Sequence, residues 1–414
     1  MTKRSITFIS LFSIFLILFI ALILIGEYKN MAVLRAQGSL IPITHKMINY
    51  RKTNLIIWAI NLILTFLIPG ALLYFGLSAK LMKFLENTFK NRFLIIATFA
   101  LVYLLVNFII RLPLRYYSSF IISHRYGISN QTFARWSSNI MKNLAIDLIV
   151  WMSLLWFPYW LIHKYKYRWW LYLGLLALPV LVFATYITPT FIDPLFNEYI
   201  PIQDPHLDSR IRETLKKAGI EDSSIYQVNK SIDTKNMNAY MTGTLKAKRI
   251  VLWDNTIENL TEDEVISILS HEIGHYVKGH IWKSIIAGSI LIIGILFLIN
   301  KICLWLLKSS QDLFGFKSLH QIASLPLIIL VLNMLMFFSS PLINGYSRYH
   351  EREADVIELE LTQEPEVFIS GLTKLYKQSL SLPRISTLYK LWYNSHPTYE
   401  ERVRMAKDYE DLRR

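Results

Sequence analysis

Hydrophobic and polar positions along the 414-residue chain alternate on a coarse scale, with long apolar runs set between polar stretches. Seven runs read as membrane helices: Ile6–Ile25, Leu55–Leu77, Phe93–Ile110, Leu144–Ile162, Trp169–Ile187, Ile285–Ile299 (extending toward Leu307) and Leu325–Ile343. Each approaches the roughly 20 apolar residues that a helix needs to cross the hydrocarbon layer. Lys301 interrupts the sixth and makes it the weakest of the set. Trp169, Trp170, Trp282 and Trp305 stand at run ends, where an amphipathic ring suits the headgroup layer. The first run follows Lys3 and Arg4 with no small-residue cleavage pattern before Glu27, so it reads as a retained anchor.

Two stretches are polar enough to live in water, 189–284 and 344–414. Counting spans puts both on one side of the membrane, together with the loops 26–54 and 111–143. The expected organisation is therefore a membrane region over 1–188, a first water-facing part over 189–284, two further spans over 285–343, and a second water-facing part over 344–414. Within the first part, His206–Ala218 has helical amphipathicity. Ile225–Val228, Ala239–Leu245 and Arg249–Trp253 carry the β-branched and aromatic residues of short strands.

Composition narrows the class. The chain is 53% hydrophobic and 18% charged, well below the roughly 25% charged residues of soluble domains. Its net charge of +14 sits mostly beside apolar runs, which points to anionic lipid and away from a nucleic-acid partner. Five basic residues in the 26–54 loop (Lys29, Arg35, Lys46, Arg51, Lys52) against two in the N-terminal tail favour a cytoplasmic water-facing domain. The lone Cys303 excludes an intrachain disulfide and leaves the compartment open.

Chemistry concentrates in Leu260–His275. Thr261 followed by Glu264 is a capping box that starts a helix, and Val265, Ile268 and Leu269 give it a buried stripe. On that helix His271 and His275 lie about 40° apart around the axis. Both imidazoles project from one face, the arrangement that holds a zinc ion with Glu272 beside it as proton acceptor. A catalytic zinc wants a third protein ligand and an open position. His280 falls roughly 140° from His275 on a continuous helix and reads as a surface or outer-sphere residue. After the seventh run, Glu351 and Asp355 stand one turn apart, so Glu351 can close the site while Asp355 orients an imidazole. The alternative for this pair is an acidic i,i+4 couple on a solvated face.

These motifs, with others along the chain, resemble the type I CAAX prenyl protease family, integral-membrane zinc metallopeptidases of the HExxH-plus-Glu (gluzincin) kind. The similar segments are His124–Thr132, Pro194–Asn197, Asn238–Tyr240 with Lys248–Val251, His271–His275 with Gly279–His280, Ser347–Asp355, and Ser395–Pro397 with Glu401–Arg402. The resemblance implies a mainly α, seven-helix transmembrane protein. A zincin-like α+β metallopeptidase domain would be built from the span 5–6 loop and the C-terminal segment. It implies one Zn2+ per chain on His271, His275 and Glu351, with Glu272 as the base. His396 would be a donor near the reacting carbonyl, and Asn238 and Ala239 contacts to bound peptide. It further implies a chamber enclosed by the spans, a peptide or protein substrate that is prenylated or membrane-associated, and a bacterial inner or endoplasmic reticulum membrane. No role is assigned to 124–132. Two alternatives stay open: a quality-control protease of the HtpX type, which looks shorter before its zinc helix, and a transporter or receptor with a structural zinc. Only scattered Asn61, Asn107 and Asn333 in the spans speak for the latter.

Overall fold

Each apolar run folds as one helix or as two helices in line, and among the described residues seven such segments are long and apolar enough to cross a membrane. They comprise Lys3–Gln37, His45–Tyr74, Arg92–Arg115, Phe133–Leu154 with Trp156–Lys164, Trp169–Leu175 with Ala177–Ile187, His280–Ser309 and Leu325–Thr362. The computed structural model describes residues 3–220, 223–242, 248–309 and 313–412.

The sixth span is unbroken at Lys301, whose ammonium lies 5.5 Å from the Phe297 ring centre. A lysine whose apolar stem lies along the helix and whose charge stays at the rim costs the helix little. Trp169 differs from expectation. It is 2% exposed and its indole N–H donates to Asn300 Oδ1 at 2.9 Å, so it fastens the fifth span to the sixth and does not face the headgroups. The asparagines are also less scattered than they read. Arg111, one residue past the third run, donates to Asn61 Oδ1 at 3.3 Å and Thr65 Oγ1 at 3.2 Å, while Asn333 donates to the Thr65 carbonyl at 3.0 Å. Buried polar groups in a membrane body need such partners.

The water-facing part contains a four-stranded sheet: β1 (Tyr199–Pro201), β2 (Ser224–Val228), β3 (Ala239–Thr242) and β4 (Arg249–Trp253), in the order β1-β2-β4-β3. β2 and β4 run parallel, and the other pairs are antiparallel. Of the third expected strand, residues 243–245 lie outside the described residues. The amphipathic helix is Pro205–Lys217. Its Leu207, Ile211 and Leu215 pack with Ile250 and Leu252 of β4 and with Val265, Leu269 and Ile273 of the helix Glu262–Val277, which carries the HExxH motif.

Two features tie this layer to the spans. The first helix runs past the membrane to Gln37, where Met31 and Leu34 join Met47, Leu359, Phe368 and Tyr399 in one core. Buried Glu27 there pairs with Arg51 at 2.9 Å and accepts the Ser386 backbone N–H at 2.8 Å. The last span, moreover, does not stop at Ile343. A single 38-residue helix, Leu325–Thr362, leaves the membrane and continues into the water-facing domain.

Gly174 shows how tightly the spans are set: a Cβ there would come within 2.7 Å of Ile293 Cγ1 and 3.2 Å of its Cα. Gly174→Val is expected to destabilise the detergent-solubilised protein by about 1–3 kcal/mol through overpacking. Gly294→Ala on the sixth span, where a Cβ would meet nothing within 4 Å, is expected not to lower stability. Thermal unfolding of the two variants checks this.

Candidate metal centre

The HExxH helix begins as its sequence requires. The Thr261 hydroxyl accepts the Glu264 N–H, and the Glu264 carboxylate accepts the Thr261 N–H at 2.8 Å. Glu264 also accepts from Ser370 at 2.7 Å and Lys374 at 2.6 Å, which ties this helix start to the helix Pro365–Gln378. With Val265, Leu269 and Ile273 committed to the sheet, His271 and His275 are left facing the helix Leu325–Thr362.

That helix can come close only because residue 274 is glycine. A Cβ on Gly274 would lie 2.9 Å from Ala354 Cα, 3.0 Å from its carbonyl oxygen and 3.1 Å from Ile357 Cβ. At this spacing His271 Nε2 stands 3.1 Å from His275 Nε2. Glu351 reaches the two nitrogens at 3.3 and 3.5 Å. These three donor atoms lie within 4.8 Å of one another. No hydrogen bond satisfies Glu351 Oε2, although it is buried. Two imidazole nitrogens facing each other and an unsatisfied buried carboxylate oxygen have no good mutual hydrogen bonds. They suit a cation between them, and a two-imidazole, one-carboxylate set is one that zinc takes.

The surroundings favour that charge. Asp355, wholly buried, accepts from His271 Nδ1 at 2.9 Å and is itself held by the Arg402 guanidinium, Nε to Oδ2 at 3.0 Å. Burial works against a charged His271, yet Asp355, Glu351 and Glu358 outweigh it and raise its proton affinity well above that of a free imidazole. Burial and neighbouring His271 push His275 down to about 3. Burial, with Glu351 and Glu358 nearby, pushes Glu272 up to about 7.

Glu272, Asn238 and His396 line one cavity of about 430 Å³ together with His271, Trp253 and Phe368. His396 is 59% exposed in its side chain and stands at the rim, its Nε2 3.5 Å from Glu351 Oε2. The Ala239 side chain is buried in the sheet core. The Asn238 carbonyl accepts the Trp253 N–H of β4 at 3.1 Å. The alternation of a strand therefore turns the backbone groups of Ala239 and Met241 to the outer edge of β3, and Met241 there donates to Glu272.

Glu358 went unread in the sequence, Arg402 stood in a matching segment without a role, and the direction of His280 is revised by the structure. Glu358 follows Glu351 and Asp355 on the same helical face, at the i, i+4, i+7 spacing that could have revealed it. Arg402 is buried against Asp355 and Glu358, and the capping box of Thr398 and Glu401 sets its direction. His280 is not the surface residue of one reading but agrees with the outer-sphere one: it is 3% exposed, with Nδ1 2.9 Å from His275 Nδ1, so its expected direction is corrected. The helix ends at Val277 and Gly279 turns the chain at φ +66°, so the continuous spacing that would send His280 away does not apply.

The 124–132 segment also acquires a place. Lys235 N–H donates to the Ile128 carbonyl at 2.7 Å, Asn130 donates to the Ser231 carbonyl at 3.0 Å, and Gln131 and Arg135 hold Asp233. Asn255 binds the Thr234 and Asn236 carbonyls from the other side, at 2.7 and 3.1 Å. The loop that delivers Asn236–Asn238 to the cavity is thus braced from the membrane body and from the sheet.

A seven-span body carrying an HExxH helix closed by a carboxylate from a second helix defines a membrane metallopeptidase. The sequence model of peptidase family M48 matches residues 201–410. That of the CAAX prenyl protease N-terminal region, described as five membrane helices, matches residues 43–198. The chain belongs to peptidase family M48. It is 34% identical to the uncharacterized metalloprotease YhfN of Bacillus subtilis, over 82% of this chain and 80% of that protein. It is 28% identical to CAAX prenyl protease 1 of Saccharomyces cerevisiae, over 73% and 69% of the two. Its fold matches the crystal structure of S. mikatae Ste24p with a TM-score of 0.83 at 24% identity, covering 96% of this chain and 98% of that one. The expected family and the mainly helical, seven-span fold stand. The transporter or receptor alternative gives way to an enzyme.

Two substitutions test the scaffold. Gly274→Ala is expected to push the HExxH helix off Ala354, destabilising by about 1–3 kcal/mol and lowering the metal content per purified chain. Arg402→Met leaves Asp355 and Glu358 buried beside a lost countercharge. It is expected to destabilise by about 3–5 kcal/mol, measured by denaturant unfolding in detergent.

Proposed function

We propose that this chain is a zinc endopeptidase that cuts peptide bonds near a prenylated or otherwise hydrophobic C-terminal segment, with its site on the cytoplasmic face of the membrane. The observation that carries the reading is the convergence of His271, His275 and Glu351 beside Glu272, next to the outer edge of β3. The names of the curated relatives support a lipid-modified substrate, CAAX prenyl protease 1 among them. Five long apolar helices ahead of the HExxH helix favour this architecture over the HtpX type. The basic 26–54 loop supports the sidedness.

His271 Nε2, His275 Nε2 and the Glu351 carboxylate would hold one zinc ion. When bound, that ion supplies Lewis acidity toward a water and the scissile carbonyl. Asp355, anchored by Arg402, keeps the His271 Nδ1 proton and turns Nε2 inward. Glu272 takes the proton of the attacking water and returns it to the leaving nitrogen. His396 at the rim donates to the carbonyl oxygen as charge develops on it. The outward backbone groups of Ala239 and the carbonyl of Met241, whose N–H is given to Glu272, pair with an extended peptide as an added strand, with Asn238 lining the cavity beside it.

The test is cleavage of a farnesylated CAAX peptide beside its unmodified twin. The farnesylated peptide is expected to be the better substrate; equal cleavage would reject prenyl dependence. Glu272→Gln is expected to keep stoichiometric zinc while cleavage falls by about 10²- to 10⁴-fold. Undiminished cleavage in that variant would remove Glu272 from its role.

A further inference from the structure

Between the HExxH helix and the sixth span there are only Lys278 and Gly279. The positive φ of Gly279, +66°, ends one helix and re-aims the next. His280 thereby returns to His275, with Nδ1 2.9 Å from Nδ1. Its other nitrogen, Nε2, lies 3.2 Å from Glu353 Oε2. Lys283 Nζ sits 3.9 Å from the same oxygen and supports its negative charge. His280 is 3% exposed, so water does not substitute for these partners.

Proton counting then allows one arrangement of neutral rings. Two ring nitrogens in hydrogen-bonding contact share one proton, and an ionised carboxylate only accepts. His280 therefore carries its proton on Nε2, toward Glu353, and its lone pair on Nδ1. The shared proton belongs to His275 Nδ1. His275 Nε2 is left with its lone pair directed at His271 and Glu351.

We propose that Glu353 and His280 are positioning residues for His275. They form a relayed counterpart of the direct Asp355–His271 contact, fixing the tautomer and ring plane that make His275 a ligand. The inference rests on the reading of His275 as a zinc ligand. Ligand imidazoles commonly donate their second N–H to a carboxylate, directly or through an intermediary, and losing such a partner weakens metal binding about 10- to 100-fold. A second cation on His280, His350 and Glu353 fits less well, although their donors also lie within 4.8 Å of one another. The His280 and His350 rings stack at 4.0 Å with a 7° interplanar angle, so their in-plane lone pairs run parallel and do not converge.

The test is zinc affinity of the full-length, detergent-solubilised protein, measured by competition with a chromophoric chelator. His280→Ala is expected to weaken zinc binding about 10- to 100-fold, and His280→Gln to recover part of it, because an amide oxygen can accept the His275 proton. Glu353→Ala acts only through His280, so the double variant is expected to bind zinc no more weakly than His280→Ala alone. His350→Phe keeps the ring stack and is expected to match the parent. Parent-like affinity in His280→Ala, additive losses in the double variant, or an equal loss in His350→Phe would overturn the relay. A parent protein that bound no zinc would instead overturn the ligand set itself.

Discussion

Everything chemical in this molecule depends on how closely two helices approach. Gly274 leaves Ala354 Cα where a Cβ would otherwise be, 2.9 Å away, and that missing methyl sets the spacing at which one helix's imidazoles meet the other's carboxylate. Since cores resist even a single methylene of overpacking, the glycine within the HExxH motif is as much a part of the centre as the histidines around it. The electrostatics follow from the same proximity. Asp355, Glu358 and Glu351 descend one face of the long helix into a pocket where Arg402 balances two of them, and the remaining negative charge suits a cation.

Around this contact the chain arranges supports from elements distant in sequence. The first span's extension fixes the 384–386 turn through Glu27 and Asn30, which helps set the C-terminal segment bearing His396 and Arg402. The loop after the third span grips Asp233 and the strand entry to Asn238. The water-facing layer is therefore assembled from four chain segments, and each is attached to a different part of the membrane body.

Much of this was readable in the residues, and the exceptions share a cause. Span positions follow from hydropathy alone, because the bilayer imposes one length on every crossing helix. The helix bearing His271 and His275 announces its own start through Thr261 and Glu264, and counting spans brings Glu351 to the same side. What stayed hidden was direction at joints. The direction of His280 cannot be read by extending a helix that stops three residues before it. Trp169 was given to the headgroup layer although Asn300 waits for it inside. Arg111 fell one residue past an apolar run, and nothing in one dimension pairs it with Asn61 and Thr65. Periodicity describes the interior of an element, whereas a turn such as Gly279 resets the phase and only tertiary packing reveals the new one.

The 38-residue helix that ends at Thr362 has a mechanical meaning. At about 1.5 Å per residue, Glu351 stands about 40 Å from its far end, so a tilt of about 3° would sweep that carboxylate sideways by about 2 Å. Metal coordination tolerates only about a tenth of that. His275 meanwhile lies near the end of the HExxH helix, which two residues join to the neighbouring span, and the Gly274–Ala354 contact holds that helix against the long one. The dimensions of the ligand cage are thus set by the contact beside it and not by the distant end of the span.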